Sequence, residues 1–315
     1  MGVGAGPLSE EARARLARPA VPALSPPPID DHAAVAAWRE AVHEAWLAGD
    51  PPAEEAGHHV DVVGGVRCLR AGPATGPLVV YLHGGGYALG SPEVAIPITG
   101  RLALGAEVVS VDYRLAPEHP YPAALDDAVA VYRAVVDRDP RRPVVLAGDS
   151  AGANLAVSCA LAADRADGAG PAALVLLSPH LAHRRVDAAA PGPPGPLEDV
   201  DSAAAAWLSE AYCGARPPDD PAVSPLFAAL RGLPPTLVQV GGAERLLPDS
   251  LRFARLARMA GVDVVLDVWD GMWHTWHYHR DLPEADRALA EARVFVAARA
   301  GTDGYERMPP TVPDE

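Results

Sequence analysis

Cysteine is scarce in this sequence: there are three, Cys68, Cys159 and Cys213, and no two of them form a CxxC pair. The sequence therefore indicates neither a disulfide framework nor a zinc site built on thiolates. Long apolar runs are also missing. The first 30 residues contain no continuous apolar stretch suited to a signal peptide. No window approaches the ~18 apolar residues that a membrane helix needs. We expect a cytoplasmic protein with no membrane partner.

Basic residues are few compared with acidic ones, 26 against 41, which gives a net charge of −15. This balance argues against binding to nucleic acid or to an anionic membrane through overall electrostatic attraction. The 315 residues are 49% hydrophobic and 21% charged, so the chain has enough apolar material to bury a sizeable core. We expect one large domain, or a core with an appendage.

Short apolar runs alternate with helical patterns along the centre of the chain. Several runs are continuous in Val and Leu, which is typical of parallel strands that are covered on both faces. The predicted strands are Val60–Val63, Leu78–Leu82, Val108–Val111, Val144–Ala147, Leu174–Leu177, Leu237–Val240 and Val264–Val268. The predicted helices are Leu125–Val136, Ala151–Arg165, Ser250–Met259 and Glu284–Arg299. Their alternation indicates an α/β fold with a mostly parallel sheet flanked by helices.

Two segments depart from this alternation. In Asp30–Leu47, apolar residues that include Trp38 and Trp46 recur at helical spacing. Between about residues 180 and 225, a long excursion contains the helix-like stretch Ser202–Tyr212. We predict that both segments contribute to a small helical cap over the carboxyl edge of the sheet. The predicted divisions are cap helices in residues 1–55, a core in residues 56–305 with a cap insertion at 180–225, and a flexible tail in residues 306–315.

The motif Gly148-Asp149-Ser150-Ala151-Gly152 directly follows a predicted strand and begins a predicted helix. A GxSxG in this strand–turn–helix context indicates a nucleophile elbow, in which a strained turn exposes the serine hydroxyl. The glycines fit because a side chain at either place would collide with neighbouring backbone. The Ala151 amide, at the amino end of the helix, is available to a developing oxyanion. An ordinary serine-containing turn is the alternative.

A second glycine-rich motif, His83-Gly84-Gly85-Gly86-Tyr87, follows the predicted strand LVVYL. Three consecutive glycines leave backbone N–H groups unencumbered, which is what an oxyanion hole requires. A phosphate-binding loop is the competing interpretation, but no GxxxxGK[ST] is present and the spacing does not fit a dinucleotide fingerprint. We expect His83 to have a structural role, with its ring bonded to nearby backbone.

A hydroxyl nucleophile needs a general base, and the base needs an acid that orients it. Glu244 and Asp249 follow the predicted strand TLVQV, and His274 follows the next strand, VVLDV. In a hydrolase with a nucleophile elbow, the acid follows a late strand and the histidine follows the next one. Glu244 and His274 are therefore the candidates. Asp249 is the rival acid, although its place also suits the N-cap of the following helix.

Two further histidines, His277 and His279, come close after His274. Their spacing does not put all three rings on one face of a helix or a strand, and no carboxylate or cysteine motif completes a metal site. We expect no metal ligation and interpret His277 and His279 as surface or core-edge residues.

Taken together, these motifs resemble those of the bacterial hormone-sensitive-lipase-like esterases of the α/β-hydrolase superfamily. The matching segments are HGGGY at 83–87, DYRLAPEHPYPAALDD at 112–127, GDSAG at 148–152, the Glu244 segment and GMWH at 271–274. The resemblance implies an α/β-hydrolase core with a helical cap and a triad of Ser150, Glu244 and His274. It also implies an oxyanion hole formed by Gly84, Gly85 and Ala151. Structural roles in fixing loops are implied for Asp112, Arg114 and Glu118.

The chain departs from the family pattern at two places. Many members have Asp where this chain has Glu244, and a glutamate can orient an imidazole through its longer arm. The family commonly has Trp and Asp soon after Ser178-Pro179, where this chain reads SPHLAHRR at residues 178–185. The second departure lies near the expected cap and acyl pocket, so it bears on substrate preference.

The resulting hypothesis is a serine hydrolase that cleaves short- to medium-chain acyl esters or lactones through an acyl-enzyme, without metal or cofactor. Tyr87 and Trp38 are the candidate substrate-binding residues, although the tryptophans can equally serve to pack the cap. One alternative is a specialised biosynthetic hydrolase, lactonase or acyltransferase, in which Arg184 and Arg185 pair with an anionic group. Another is a non-catalytic binding protein. The resemblance also suggests a homodimer through the edge strand Val264–Val268.

Overall fold

The computed structural model describes residues 2–3, 7–17, 25–49, 57–167, 170–183 and 202–301. Within these ranges, nine strands form one sheet. The strands are β1 (Gly2–Val3), β2 (His59–Val63), β3 (Val66–Ala71), β4 (Leu78–Leu82), β5 (Glu107–Val111), β6 (Val144–Asp149), β7 (Ala173–Leu177), β8 (Thr236–Gly241) and β9 (Val264–Trp269). Their order across the sheet is β1-β9-β8-β7-β6-β4-β5-β3-β2.

Eight α-helices accompany these strands in the described part of the chain. They are α1 (Glu10–Leu16), α2 (His32–Gly49), α3 (Ile96–Leu102), α4 (Ala123–Arg138), α5 (Ala151–Asp167), α6 (Ser202–Cys213), α7 (Leu247–Met259) and α8 (Pro283–Arg299). Short 3-10 turns lie at Pro225–Phe227 and Trp276–Tyr278. The predicted alternation of strands and helices is therefore confirmed, and α3, which has Pro97 in its first turn, is an addition to it.

The seven strands β1, β9, β8, β7, β6, β4 and β5, which are consecutive across the sheet, are all parallel. The direction of the sheet is reversed in β3 alone. The strand β3 pairs antiparallel with both β5 and β2. Sequence analysis did not predict β3, because Arg67 and Arg70 interrupt its apolar run and several of its side chains are only partly covered. Parallel strands buried on both faces carry a stronger apolar signal than such a peripheral strand.

Both faces of the sheet are covered by helices. In β4, Leu78, Val80 and Leu82 point into a core shared with α4, α5 and α7. The alternate residues Val79 and Tyr81 point to the opposite face, into a core shared with α3 and α8. Each fully buried Val or Leu stabilises the fold by about 1.5–3 kcal/mol, so the two layers together make the sheet a rigid support. The carboxyl ends of the parallel strands form one edge of this support.

The prediction that residues 1–55 form cap helices is wrong for the first described segments. The strand β1 pairs with β9, and α1 lies against the core. Ala12 of α1 is fully buried in a cluster with Trp269, Trp273 and Trp276. The Ser9 hydroxyl donates to the Glu284 carboxylate at 2.9 Å. These residues therefore cover the β9 side of the molecule rather than a substrate site.

The helices α2 and α6 contact each other above the glycine-rich loop. The rings of Trp38 in α2 and Trp207 in α6 meet edge to face, with centroids 5.3 Å apart. Arg39 donates to the carbonyls of Ala88 and Ala116 at 2.7 and 3.0 Å and to both carboxylate oxygens of Glu118. The arginine thus ties α2 to the loops below it. Part of the predicted insertion, residues 184–201, lies outside the described residues, and this part includes Arg184 and Arg185. The predicted tail, residues 306–315, also lies outside them.

The strand expected to be an open edge is partly covered by the chain itself. Gly2 and Val3 pair with Asp267 and Val268, so the second half of β9 has a strand neighbour on its outer side. The prediction that Val264–Val268 is the edge strand therefore fails at Asp267 and Val268, because an amino-terminal segment far away in the sequence pairs with them. No helix in the described ranges has both the length and the apolar character needed to cross a bilayer.

A buried carboxylate joins the ends of three strands. The side chain of Glu107, at the start of β5, forms ion pairs with Arg70 of β3 and with Arg142, which precedes β6. Arg70 also pairs with Asp61 of β2 at 2.6 Å. Burial opposes ionisation of Glu107, but hydrogen bonds from Arg142 and Arg70 outweigh it and lower the pKa of this carboxyl below its ordinary 4.5. The charged form of Glu107 is therefore more favourable in the folded protein than in the unfolded chain.

Replacing Glu107 with Gln should lower the free energy of unfolding by about 3 kcal/mol at pH 7, because two arginines lose their shared buried partner. Since folding lowers the pKa of Glu107, its contribution is complete above pH 4.5 and is lost as the pH falls through the folded-state pKa. Urea unfolding at pH 7 and at pH 3 measures both effects. Glu40→Gln, at an exposed position on α2, is the matched control. A stability difference for Glu107→Gln that does not change with pH would contradict the ionic account.

Candidate active site

Ser150 occupies the turn between β6 and α5, at the carboxyl edge of the sheet. Its backbone has a φ of 50°, a conformation that is strained for a residue with a side chain. The turn is tight: a Cβ atom added to Gly152 would lie 2.5 Å from the His83 carbonyl oxygen, and one added to Gly148 would lie 2.6 Å from that of Leu82. The two glycines thus let the elbow pack directly against the end of β4, as expected from the motif.

The His274 imidazole lies next to this serine. It belongs to the loop after β9, and its Nε2 lies 3.0 Å from the Ser150 Oγ. The segment that follows is anchored by Arg101 of α3, which donates to the carbonyls of His277 and His279 at 3.1 Å each. The ring is partly exposed, with 22% of its side-chain surface accessible. A base in hydrogen-bond reach of an exposed hydroxyl is the geometry of nucleophilic catalysis.

Glu244 lies behind the imidazole. Its Oε2 is 3.6 Å from the Nδ1 of His274, and its side chain is fully buried. The Ser178 hydroxyl donates to the same Oε2 at 2.7 Å. Asp249, the rival acid, is the third residue of α7 and is also buried. The interpretation of Asp249 as an N-cap is wrong, because α7 starts two residues earlier and Leu246 holds the N-cap position.

Backbone hydrogen bonds bring the Glu244 and His274 loops together. The Gly242 amide, after β8, donates to the Trp269 carbonyl at the end of β9 at 2.8 Å. The Ala243 amide donates to the Met272 carbonyl at 3.0 Å. These bonds join the residues immediately before the acid to the residues before the histidine. The distance between the two side chains is thus set by adjacent strands rather than by flexible loops.

The glycine-rich loop presents a different set of amides from the predicted one. The Gly84 N–H donates to the Oδ1 of Asp149 at 2.9 Å. An amide has one proton, so the prediction that Gly84 contributes to an oxyanion hole is wrong. Within the described residues, the N–H groups of Gly85, Gly86 and Ala151 donate no hydrogen bond to the protein. Sequence analysis missed Gly86, because the motif alone does not reveal which of three neighbouring amides is occupied.

Asp149 is the residue that accepts the hydrogen bond of the Gly84 N–H. It directly precedes the serine and is almost completely buried. Its Oδ1 also accepts from the Tyr81 hydroxyl at 2.6 Å, and its Oδ2 accepts from the Tyr278 hydroxyl at 3.0 Å. Burial raises the pKa of Asp149, against the effect of these three donors. One carboxylate therefore connects the elbow, the glycine-rich loop and the segment after His274.

His83 has the structural position that its sequence context suggested. Its Nδ1 lies 2.8 Å from the Gly84 carbonyl oxygen, and its ring stacks on Tyr113 with centroids 4.2 Å apart. Burial lowers the pKa of His83 to about 4, so the ring is neutral at pH 7. The loop-fixing ion pairs expected in the following block are also present: Arg67 with Asp112, Arg114 with Asp127, and Arg39 with Glu118.

Four rings cluster beside the elbow. Tyr87 is buried and stacks on Tyr212 of α6, with centroids 3.6 Å apart, and the His183 ring lies 5.4 Å from both. The His180 ring lies 4.9 Å from that of His183, and the His180 amide donates to the Ser150 carbonyl at 3.0 Å. Burial and the nearby His274 lower the pKa of His180 to about 4. This side of the site is therefore aromatic and uncharged at pH 7.

The two remaining histidines of the HTWHYH segment are buried. His277 is fully enclosed, with its Nε2 3.3 Å from the Gln239 Oε1, and the Nε2 of His279 accepts from the Trp273 indole at 3.2 Å. Their interpretation as surface or core-edge residues is wrong, since both pack inside the His274 loop. Among the described residues, no three His, Cys, Asp or Glu side chains are grouped as metal ligands.

The chain was compared with known families and proteins. A family model described as the alpha/beta hydrolase fold matches residues 79–278. An acetyl-hydrolase from Streptomyces hygroscopicus is 39% identical over 242 residues, which cover 74% of this chain and 79% of the relative. An esterase from Acinetobacter venetianus is 35% identical over 244 residues, which cover 73% of this chain and 78% of the relative. The matched family segment spans β4 to the turn after His274.

Solved structures show the same similarity. A hormone-sensitive lipase from a metagenome library is 36% identical, with a TM-score of 0.76 over 87% of this chain and 100% of the other. An esterase/lipase from an uncultured bacterium is 30% identical, with a TM-score of 0.79 over 94% of this chain and 99% of the other. The likeness therefore extends over most of the chain and includes the site.

Replacing Asp149 with Asn should lower kcat for p-nitrophenyl acetate by about 10- to 100-fold. Asn presents one acceptor oxygen without a negative charge, so it holds the Gly84 N–H more weakly and the glycine-rich loop would shift relative to Ser150. Tyr278→Phe, which removes one of the three hydrogen bonds, should have a smaller effect. Steady-state kinetics measure kcat for each variant, and thermal unfolding measures its stability. A normal kcat in Asp149→Asn would show that the carboxylate does not position the loop.

Proposed function

The chain belongs to the hormone-sensitive-lipase-like esterases of the α/β-hydrolase superfamily, and from this we propose that it cleaves short- to medium-chain acyl esters through an acyl-enzyme on Ser150. The protein is a carboxylesterase. The observation that carries the assignment of its site is the 3.0 Å approach of the His274 Nε2 to the Ser150 Oγ at a strained elbow. The roles of the individual residues follow from this contact.

In the first half of the reaction, Ser150 attacks the ester carbonyl while His274 accepts its proton. The ring becomes an imidazolium, and the buried carboxylate of Glu244 on the opposite side stabilises the positive charge. The 3.6 Å separation between Glu244 and the Nδ1 of His274 shortens as that charge develops. His274 then returns the proton to the departing alkoxide, which leaves the acyl group on Ser150.

The oxyanion of each tetrahedral intermediate is bound by the N–H groups of Gly85, Gly86 and Ala151. Support comes from their unoccupied amides and from the Ala151 position at the amino end of α5, where the helix dipole favours negative charge. Donors already in place need no reorganisation when the charge develops, and removal of one such donor typically costs about 100- to 1,000-fold in kcat. Water then attacks the acyl-enzyme, again with His274 as the base.

Acyl groups at the short end of this range are the proposed preference. The rings of Tyr87, Tyr212, His180 and His183 crowd the space beside the elbow, and both histidines are held neutral by burial. The relative from Streptomyces hygroscopicus is named an acetyl-hydrolase. An aromatic, uncharged wall suits a small apolar acyl chain. Tyr87 is thus proposed to contact the acyl group.

Ser150→Ala should lower kcat by several orders of magnitude and abolish labelling by a fluorophosphonate probe. Ser158→Ala, which changes a buried serine inside α5, should keep both activity and labelling. Intact-protein mass spectrometry measures the adduct, and incubation with ester alone reports the acyl-enzyme. Wild-type protein that forms neither adduct would support a non-catalytic binding role instead. Transfer of the acyl group to an added alcohol in preference to water would support an acyltransferase.

A series of p-nitrophenyl esters from acetate to decanoate should give the highest kcat/KM at the short chains. Trp38 packs against Trp207, which supports a role in holding the cap rather than in contacting the acyl group. Trp38→Ala should therefore keep the chain-length profile while losing thermal stability, and Trp46→Ala on the same helix is its control. A profile shifted towards long chains in Trp38→Ala alone would assign this residue to the substrate pocket.

A homodimer through β9 and a location in the cytoplasm stay predictions. Pairing with β1 leaves Val264–Leu266 as the part of β9 without a strand neighbour on its outer side within the described residues. Val265 in this part has an exposed side chain. A second copy of the chain would have to pair there.

A further inference from the structure

The segment at the end of β7 contacts the nucleophile elbow, the strand β8, Glu244 and the residue after His274. The Ser150 amide donates to the Leu177 carbonyl at 2.9 Å, and the His180 amide donates back to the Ser150 carbonyl at 3.0 Å. The Ser178 amide donates to the Gln239 carbonyl in β8 at 2.7 Å. Residues 177–180 thus join the nucleophile elbow to the strand that precedes Glu244. Backbone alone makes these three bonds.

The Ser178 side chain adds two further contacts. Its hydroxyl is completely buried and donates to the Oε2 of Glu244 at 2.7 Å. The Ser178 Oγ also accepts the Thr275 N–H at 3.0 Å. Thr275 directly follows His274, so one hydroxyl connects the acid to the backbone of the base. The Oε2 that it holds is the atom that faces the His274 Nδ1.

The backbone of Ser178 is held in a conformation that favours glycine. Its φ is 45°, in the left-handed region, where a side chain is strained. A glycine would follow the same path without that strain. The contribution of a serine at this place is therefore its hydroxyl and not its backbone geometry.

We propose that Ser178 is a positioning residue that holds Glu244 in line with His274. The inference rests on the proposed roles of Ser150, Glu244 and His274 and extends them to a fourth side chain. A glutamate has one more rotatable bond than an aspartate, so its carboxylate needs a second anchor to stay opposite the ring. The Ser178 hydrogen bond supplies the anchor and stabilises the charged carboxylate in its buried place. Ser178 itself contacts none of the reacting atoms.

Ser178→Gly and Ser178→Ala should each lower kcat by about 10- to 100-fold, the usual effect of losing a hydrogen bond to a charged group. KM for p-nitrophenyl acetate should stay within about twofold, because the hydroxyl acts through Glu244 and does not bind substrate. The glycine variant should lose less thermal stability than the alanine variant, since both lack the hydroxyl but only alanine keeps the strain at this φ. Ser110→Ala, which removes a buried hydroxyl without a protein partner in β5, should keep full activity.

A double-mutant cycle separates positioning from general damage. Glu244→Ala should lower kcat, and adding Ser178→Gly to it should cost clearly less than Ser178→Gly costs alone, because the acceptor is already absent and only the Thr275 contact is left to lose. The inference would be overturned if the loss of kcat in the double variant equalled the product of the losses in the two single variants. It would also be overturned if Ser178→Gly kept a normal kcat while Glu244→Ala was slow. Normal kcat in Glu244→Ala alone would instead remove the proposed acid, and the inference with it. Fluorophosphonate labelling of Ser150 in every variant reports whether the nucleophile is intact.

Discussion

The contact between the Ser150 hydroxyl and the His274 imidazole joins residues 124 positions apart, and most features of the fold serve to maintain it. The two side chains extend from the carboxyl ends of β6 and β9, which are separated in the sheet by β7 and β8. A contact across two intervening strands requires loops that return over the sheet edge. Backbone bonds between the loops after β8 and β9, together with the anchor from Arg101, fix that return. A shift of about 1 Å in such a contact can cost about 100-fold in rate.

Burial of charge is the main cost of this arrangement. Asp149 and Glu244 are carboxylates with almost no exposed surface, and an isolated buried charge is strongly unfavourable. Asp149 is compensated by three donors from different elements, and Glu244 by Ser178 and His274. Because these donors come from the end of β4 and its following loop, from the end of β7 and from the segment that carries His274, the same bonds that compensate the charges also hold those segments together. The buried polar network thus has an unfavourable desolvation free energy, and its hydrogen bonds also fix the positions of the site residues.

The cap helices α2 and α6 also contact the glycine-rich loop. Arg39 links α2 to the backbone next to Tyr87, and Tyr212 of α6 stacks on Tyr87 itself. Substitutions in either helix therefore reach the glycine-rich loop through direct contacts. The departure at His180 and His183 lies within the same cluster of rings. One of the two departures from the family pattern thus lies in this cluster of rings beside the elbow, and the other, Glu244 in place of Asp, lies behind the His274 ring.

The local sequence determined the secondary-structure elements and the order in which the candidate catalytic residues follow one another along the chain. The Val- and Leu-rich runs indicated the buried parallel strands, and GDSAG between a strand and a helix indicated the elbow, because both signals depend on near neighbours in the chain. The tertiary structure alone decided which glycine amide is occupied, since the Asp149 carboxylate reaches Gly84 across 65 positions. It likewise decided that β1 and α1 cover β9, that His277 and His279 are buried, and that Ser178 meets Glu244. Such pairings depend on which loops the sheet brings to one edge, and no local pattern carries that information.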